Sequence, residues 1–588
     1  MCGIFAYSGI KKNASQIVFN GLKRLDYRGY DSWGLGTVVN SQIMVEKSIG
    51  KIEGVTIDLP PSNIAIGHTR WATHGAVSNT NAHPHYSTDR SFIVAQNGIV
   101  ENYVELKNHL IEKKYAFHTQ TDTEVIVRLI EDKLTHTHDL ISAVRSAFVD
   151  LKGRNTIIIL TKEGHIIAAR NGSPLVVGIN GNEIYFSSDT LSFAPYVKSI
   201  LVLENGQMAV CANSKLDLLN IVDGKILEYV MEKNTIKDSS VHKGKYDHYM
   251  IKEIFDTPHV IDQVIKQDKH ELHVFTKALQ RARNVYCIGS GSTGVSAAQM
   301  AFYLRAIAKI NAISLIGADA KEFNDMFTTN DIIISPSQSG ETADVLEVLE
   351  EARKKNIPIA SYVNMPGSMM TRLSDYKFMT NAGPEICVMS TKIFVSQLAW
   401  GYLVAKTVTG KYDEGIRNLK NLSQHIKSYL HDARNHSEIK SLALQLAHKK
   451  DIFLLGKSQN MQIIKEGMIK IIEGSYIHAH AIPAGDLKHY AITLMEKGVP
   501  VLFVFSNDQV KNDIINAMHE VKARGATVIA ISPDHEPGFD EHIRVVDTNE
   551  TSAIMNIIPL QLLAYYMASS LGHDVDKPRN IAKSVTVK

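Results

Sequence analysis

The sequence predicts a chain of two unlike parts, an α+β region of stacked sheets followed by two copies of a doubly wound α/β domain. Three observations carry that expectation. Between Ile64 and about Val210, short β-rich runs such as Phe92-Ile93-Val94, Ile157-Ile158-Ile159-Leu160, Leu175-Val176-Val177 and Ile184-Tyr185-Phe186 are punctuated by Gly and Asn. After about Asp262, strand-like runs alternate with amphipathic helical patterns, the signature of a parallel sheet with crossover helices. Finally, Asn284-Val285-Tyr286-Cys287-Ile288-Gly289-Ser290 and Asp331-Ile332-Ile333-Ile334-Ser335-Pro336-Ser337 have counterparts roughly 170 residues on, at Asp451–Ser458 and Pro500–Ser506, which argues for duplication of one unit.

The 588 residues suggest two to four domains of roughly 100–200 residues each, more chain than one core can use. The irregular, charged stretch from Ile226 to Lys252 reads as the junction between the two parts. The expected division is 2–235, a linker over 236–262, repeats over 263–430 and 431–575, and a tail over 576–588. A formal net charge of +2 without any run of five like charges excludes a nucleic-acid or anionic-membrane footprint and leaves small molecules as the expected partners. Cys2, Cys211, Cys287 and Cys387 lie too far apart for a C-x-x-C motif and are too few for a secreted scaffold, so a cytoplasmic location is expected. The opening MCGIFAYSGIKK has neither the basic start nor the cleavage site of a secretory signal. The apolar stretch between Glu550 and Asp574 is interrupted by Asn556, Pro559, Gln561, Ser569 and Ser570, so it predicts a buried core helix rather than a membrane span.

Cys2 is the first residue with chemistry. Removal of Met1 would leave a thiol and a free α-amine on one residue, and an α-amine with a pKa of about 7.7–8.0 can accept the thiol proton near neutral pH. Behind it come Arg28-Gly29-Tyr30-Asp31-Ser32, Gly67-His68-Thr69-Arg70-Trp71-Ala72-Thr73-His74-Gly75, Gln96-Asn97-Gly98 and Thr121-Asp122-Thr123-Glu124. In that order, with Met1-Cys2-Gly3-Ile4-Phe5, they closely resemble the N-terminal-nucleophile glutamine amidotransferases over residues 2 to 225. The resemblance implies an αββα sandwich in which Cys2 attacks the glutamine amide and Asn97 with the Gly98 N–H forms the oxyanion hole. Arg70 and Asp122 would hold glutamine's carboxylate and ammonium, and Trp71 and His74 would line the same site. A bidentate Arg suits a carboxylate and a Gly lets backbone approach an oxyanion.

In the second part, Ser337-Gln338-Ser339-Gly340-Glu341-Thr342 follows a strand and opens a helical pattern, so hydroxyls, backbone N–H groups and a helix N-terminus would converge on an anion. This loop, and Asn381-Ala382-Gly383-Pro384-Glu385 through Ser390-Thr391-Lys392, look like the phosphate loops of sugar isomerase domains. That implies phosphosugar binding by Ser337, Gln338, Ser339, Thr342 and Ser390. Lys470 and Glu473 share a helix face at i, i+3, with His489 shortly beyond. The tail Asp576 to Val587 resembles the C-terminal loop of the isomerising glutamine:fructose-6-phosphate amidotransferase family, and with it the likeness covers essentially the whole chain.

That resemblance implies glutamine and fructose 6-phosphate as substrates, no cofactor and no metal, and a homodimer. Lys583 would form a Schiff base with the open-chain ketose phosphate and Ala582 would border it. His489 would assist ring opening, Glu473 would move a proton between C1 and C2, and Lys470 would help hold the site's charges. Three positions depart from the family pattern: Gly291 replaces a hydroxyl residue beside Ser290, with Ser292 able to substitute, Tyr490 replaces a glycine, and His480 a glutamate. An amidotransferase for another ketose or keto sugar phosphate is the alternative. A catalytically silent phosphosugar sensor is disfavoured by the joint presence of Cys2, Glu473, His489 and Lys583.

Overall fold

A computed structural model describes residues 2–234 and 242–586. Met1, whose removal the free-amine chemistry requires, and the expected 235/236 boundary lie outside the described residues. The chain forms two compact units: Met1–Ser240 with Glu341–Ala343 and Ala582–Lys588, and Val241–Gly340 with Asp344–Ile581.

The first unit is the expected αββα sandwich. Among its described residues an eight-stranded sheet and a six-stranded sheet stack face to face, every pairing antiparallel. Strand alternation builds the layers. In Gly3–Ser8, Ile4 and Ala6 face the other sheet, while Phe5 and Tyr7 face the helix Ala14–Leu25 with Val18, Phe19 and Leu22. In Asn155–Thr161, Ile158 and Leu160 enter the core between the sheets, and Ile157 and Ile159 pack under the helices Thr123–Thr137 and Leu140–Asp150. Strands covered on both faces have no solvent side, which is why the run Ile157-Ile158-Ile159-Leu160 shows no polar alternation.

The second unit holds two five-stranded parallel sheets of identical order. If the strands of each are numbered along the chain, both read 2-1-3-4-5. Val285–Gly289 and Ile332–Ser337 are strands 1 and 3 of the first sheet, and Asp451–Gly456 and Pro500–Val504 are those of the second. The two repeats bury one common core, with Met300, Trp400, Leu454, Ile464 and Leu560 in a single cluster.

The apolar stretch near the end forms the helix Ser552–Ser570, buried over most of its length. Two of its polar interruptions are tied through their amide nitrogens: Asn556 Nδ2 donates to Asn460 Oδ1 (2.8 Å) and Gln561 Nε2 to the Thr391 carbonyl (3.2 Å). No described helix is long and apolar enough to cross a membrane.

Candidate active sites

Cys2 immediately precedes the strand Gly3–Ser8, which lies inside the eight-stranded sheet and pairs with Ile64–Arg70 in the register Gly3 to Thr69. That register brings the thiol to the residue after Arg70. Trp71 N–H donates to Cys2 Sγ (3.3 Å), and Sγ stands 3.5 Å from the Trp71 carbonyl. Burial pushes the thiol up, with the Trp71 amide and Arg70 opposing. The Asp31 motif holds this turn from outside, because Asp31 Oδ2 accepts from Ala72 N–H (2.8 Å) and its own N–H donates to the Arg70 carbonyl (3.0 Å).

A narrow recess, with a cavity volume of only about 10 Å3, brings Cys2, Arg70, Trp71, His74, Gly98 and Asp122 together, six of the residues expected there. The Arg70 guanidinium is engaged within this structure: it donates to the carbonyls of His74, Gly75 (3.2 Å) and Ala76 (3.4 Å), so it shapes the loop that carries His74. Burial lowers its pKa. Asp122 precedes the helix Thr123–Thr137 without capping it through its side chain. Its Oδ2 accepts from Val100 N–H (2.8 Å), and burial raises its pKa. Gly98 ends the strand Phe92–Gly98 at φ +131°, and a Cβ there would meet the Arg154 carbonyl at 2.1 Å. Only glycine fits this position. Asn97 is fully buried beside the His68 ring, and neither atom of its amide makes a hydrogen bond of good geometry. It does not line the recess, although its strand neighbours Gln96 and Gly98 do.

Thr73, His83, Gln96, Thr121 and Thr123 also line the recess, and none of them was expected as a site residue. The available signal was their position inside the motifs or, for His83, in Ala82-His83-Pro84-His85. His68, His83 and His85 stack in a buried row, with ring centroids 4.4 and 4.9 Å apart. Burial lowers all three, His68 to about 3, so the row is neutral at physiological pH.

In the second unit, the reversal of strand order puts the crevice of the first sheet between Val285–Gly289 and Ile332–Ser337, the position where open α/β sheets bind ligands. Ser290, Gly291 and Ser292 leave the first strand, and Gln338 and Ser339 follow the second, whereas Thr342 belongs to the first unit. Ser337 Oγ accepts from Gly340 N–H (2.8 Å), which curls the loop. Ser290 Oγ is buried without a hydrogen-bond partner. Gly291 adopts φ +57°, a backbone conformation that favours glycine, with open space where a Cβ would stand. Ser390 Oγ contacts Glu385 Oε2 (3.3 Å). Glu385 Oε1 accepts from the N–H groups of Thr391 (3.0 Å) and Ile393 (3.1 Å), so this carboxylate caps the helix Lys392–Val408. Beside the corresponding crevice of the second sheet is a cavity of about 350 Å3, bordered by Ser458, Asp508, Asp547 and Glu550 and by Phe302 and Tyr303 of the first repeat.

Lys470 and Glu473 lie on the helix Met461–Ser475. Lys470 is fully buried, with Nζ 2.5 Å from Glu473 Oε2 and 3.4 Å from Glu466 Oε1. Glu466 was missed by sequence reasoning, although an acid four residues before a lysine shares its helix face. Burial pushes Glu466 up to about 7, with Lys470 opposing and Glu473 reinforcing, and the two carboxylates hold Lys470 well above its ordinary value against its burial. His489 sits at the exposed end of the helical turn Ala484–His489, and the Tyr490 ring after it is 47% exposed. Ala582 and Lys583 are half-buried in the tail. Two residues on, the Val585 carbonyl accepts from Ala343 N–H (3.0 Å). Among the described residues no cluster of His, Cys, Asp or Glu could hold a metal ion.

Known proteins are similar to this chain over its whole length. The chain matches the family described as a glutamine amidotransferase domain over residues 68–194 and the SIS domain over residues 278–406 and 445–571. It is 34% identical over 603 residues to the glutamine–fructose-6-phosphate aminotransferase (isomerizing) of Pyrococcus horikoshii, with 100% of both chains covered. Over 600 residues it is 35% identical to the protein of the same name from Aquifex aeolicus, again with 100% of both covered. Among solved structures, the C-terminal domain of glucosamine-fructose-6-phosphate aminotransferase from Francisella tularensis superimposes with a TM-score of 0.53 at 29% identity, spanning 57% of this chain and 100% of that one.

Two outcomes follow from this geometry. Gly98→Ala forces a Cβ into the Arg154 carbonyl and displaces the N–H expected in the oxyanion hole, so glutamine hydrolysis should fall by up to roughly 10²–10³-fold in a steady-state assay of glutamate release. Glu466 takes up its proton more readily in the folded chain than the unfolded one, where a glutamate titrates at about 4.3. Its contribution to stability is therefore full below that value and is lost as pH rises towards about 7. Thermal unfolding followed across that range should show Glu466→Gln losing less stability with rising pH than the parent chain.

Proposed function

The chain belongs to the isomerizing glutamine–fructose-6-phosphate aminotransferase family, and from that premise we propose that Cys2, Asn97 and Gly98 run its amidase step while Lys583, His489, Glu473 and Lys470 run its sugar step. The enzyme hydrolyses glutamine and transfers the ammonia to fructose 6-phosphate with isomerisation, giving glutamate and glucosamine 6-phosphate. The recess that gathers Cys2, the Arg70–His74 turn, Gly98 and Asp122 is the observation that carries the amidase assignment.

In the amidase step the Cys2 sulfur adds to the glutamine amide carbon and the carbonyl electron pair moves to oxygen. The Gly98 N–H and the Asn97 amide stabilise that oxyanion. The thiol proton goes to the α-amine of Cys2 once Met1 is removed, and from there to the departing nitrogen, which leaves as ammonia. Water then cleaves the thioester to give glutamate. Asp122 receives the substrate's ammonium, and Arg70 its carboxylate when the guanidinium releases a loop carbonyl. Trp71 and His74 border the bound glutamine.

In the sugar step, Ser337, Gln338, Ser339, Thr342, Ser390 and the Ser290–Ser292 turn hold the phosphate. The unpartnered Ser290 hydroxyl supports this role. His489 opens the ring, and the Lys583 amine condenses with the C2 ketone with loss of water. Ammonia then replaces Lys583 on C2, and Glu473 carries a proton from C1 to C2. Lys470 stays cationic between Glu466 and Glu473 and steadies the carboxylate that moves the proton. Ala582 borders the bound sugar.

The same reading makes the protein a cytoplasmic homodimer. Its cysteines are free thiols, and three are buried, as a reducing compartment allows. The homodimer rests on the family resemblance, and light scattering on the purified chain checks it.

Two substitutions separate the half-reactions. Cys2→Ala should abolish glutamate release, and a glutaminase rate equal to that of the parent chain would refute the assignment. Lys583→Ala should retain glutamine hydrolysis and lose glucosamine 6-phosphate. Borohydride reduction with fructose 6-phosphate should trap an adduct on Lys583, as read by peptide mass spectrometry, and a trapped lysine elsewhere would overturn its role.

A further inference from the structure

Gln96 precedes the Asn97–Gly98 pair on the strand Phe92–Gly98, and all four of its polar groups are engaged although it is buried. Its carbonyl accepts from His68 Nε2 (2.9 Å) and its N–H donates to His83 Nδ1 (3.4 Å). Its side-chain Nε2 donates to Asn155 Oδ1 (2.7 Å), and its Oε1 accepts from Thr123 Oγ1 (2.5 Å). Thr123 Oγ1 lies 3.1 Å from His83 Nε2. The proton positions follow from donor and acceptor capacity. A backbone N–H can only donate, so His83 Nδ1 accepts, and the neutral ring carries its proton on Nε2. That proton goes to Thr123 Oγ1, whose own hydroxyl proton goes to Gln96 Oε1. Burial beside His68 and His85 keeps His83 neutral, so this order persists at physiological pH.

The helix start clamps the strand end from both sides. Thr123 holds Gln96, immediately before Asn97, and Asp122 holds Val100, two residues after Gly98. We infer that Gln96, locked by Thr123 and His83, is a positioning residue that sets where Asn97 and Gly98 present their oxyanion donors. The inference rests on the amidase reading above. It also accounts for the engagement of every polar group on Gln96 when the adjacent Asn97 amide is left without good hydrogen bonds, as a donor reserved for a transient oxyanion would be. A misplaced donor acts on the transition state and not on glutamine binding, so the expected signature is in kcat.

The test measures glutamine hydrolysis in the full-length protein for Thr123→Val, which deletes the hydroxyl at nearly constant volume, and Thr123→Ser, which restores it. Thr123→Val should lower kcat about ten- to a hundredfold with KM within about twofold, and Thr123→Ser should regain most of the loss. Glutamate γ-semialdehyde is the second probe. Addition of the Cys2 sulfur to its aldehyde carbon forms a C–S bond and moves the carbonyl electron pair onto the oxygen that the same donors hold, while the thiol proton passes to the α-amine. Its affinity should fall in step with kcat, and the affinity for glutamate should stay constant. Gln96→Met, similar in shape and lacking the amide, carries the same expectation if Thr123→Val fails to fold. Full kcat in these variants, an equal loss in Thr123→Ser, or unchanged semialdehyde affinity would overturn the inference. An active Cys2→Ala would instead sink the amidase reading itself.

Discussion

The antiparallel pairing of Gly3–Ser8 with Ile64–Arg70 is the constraint on which the amidase half depends. The strand is buried on both faces, with Ile4 and Ala6 between the sheets and Phe5 and Tyr7 under a helix, so a slip of one residue would exchange the two sets. With the register held, the residue before the strand meets the residue after Arg70, and the Cys2 thiol is delivered to a half-buried turn. Ordering a terminal residue costs conformational entropy. Here the ladder and the two apolar layers supply the compensating free energy, and the Trp71 amide settles the sulfur.

The second half reaches its chemistry by divergence within a duplication. Both repeats have the same strand order and share one core, so their crevices are equivalent in topology. The first carries serines and an unpartnered buried hydroxyl. The cavity beside the second is bordered by three carboxylates among apolar, hydroxyl and amide side chains, and this repeat also carries the Glu466, Lys470 and Glu473 face of Met461–Ser475. A lysine with no solvent contact is tolerable because two carboxylates stand on the same helix face, while burial drives Glu466 towards neutrality. The duplication supplies the scaffold, and side-chain changes divide the labour.

Much of this was legible in the chain. Unalternated apolar runs such as Ile157 to Leu160 and the recurrence of strand-plus-turn markers led to the αββα sandwich and the duplicated α/β halves. The motif order around Cys2 led to most of the residues that line the recess. Other features were hidden for physical reasons. Gln96, Thr123 and His83 are separated by up to forty residues and act through hydrogen bonds that exist only after strand and helix meet. Asp122 stands just before a helix, yet its carboxylate accepts from the Val100 N–H across the loop instead of capping that helix.

The sequence by itself determined what is periodic or contiguous: which segments are strands buried on both faces, where the fold repeats, and which short motifs bear nucleophile, anion and amine chemistry. Those properties follow from spacing along the chain, which hydrophobic burial and helix geometry turn directly into local structure. Tertiary structure alone decided which polar groups face one another. It turned the Arg70 guanidinium onto its own loop, left the Asn97 amide and the Ser290 hydroxyl without good partners, and raised Glu466 into the neutral range. Each of these depends on desolvation and on angles set by distant residues, and a pKa or a hydrogen bond has no value until the surrounding atoms have excluded water.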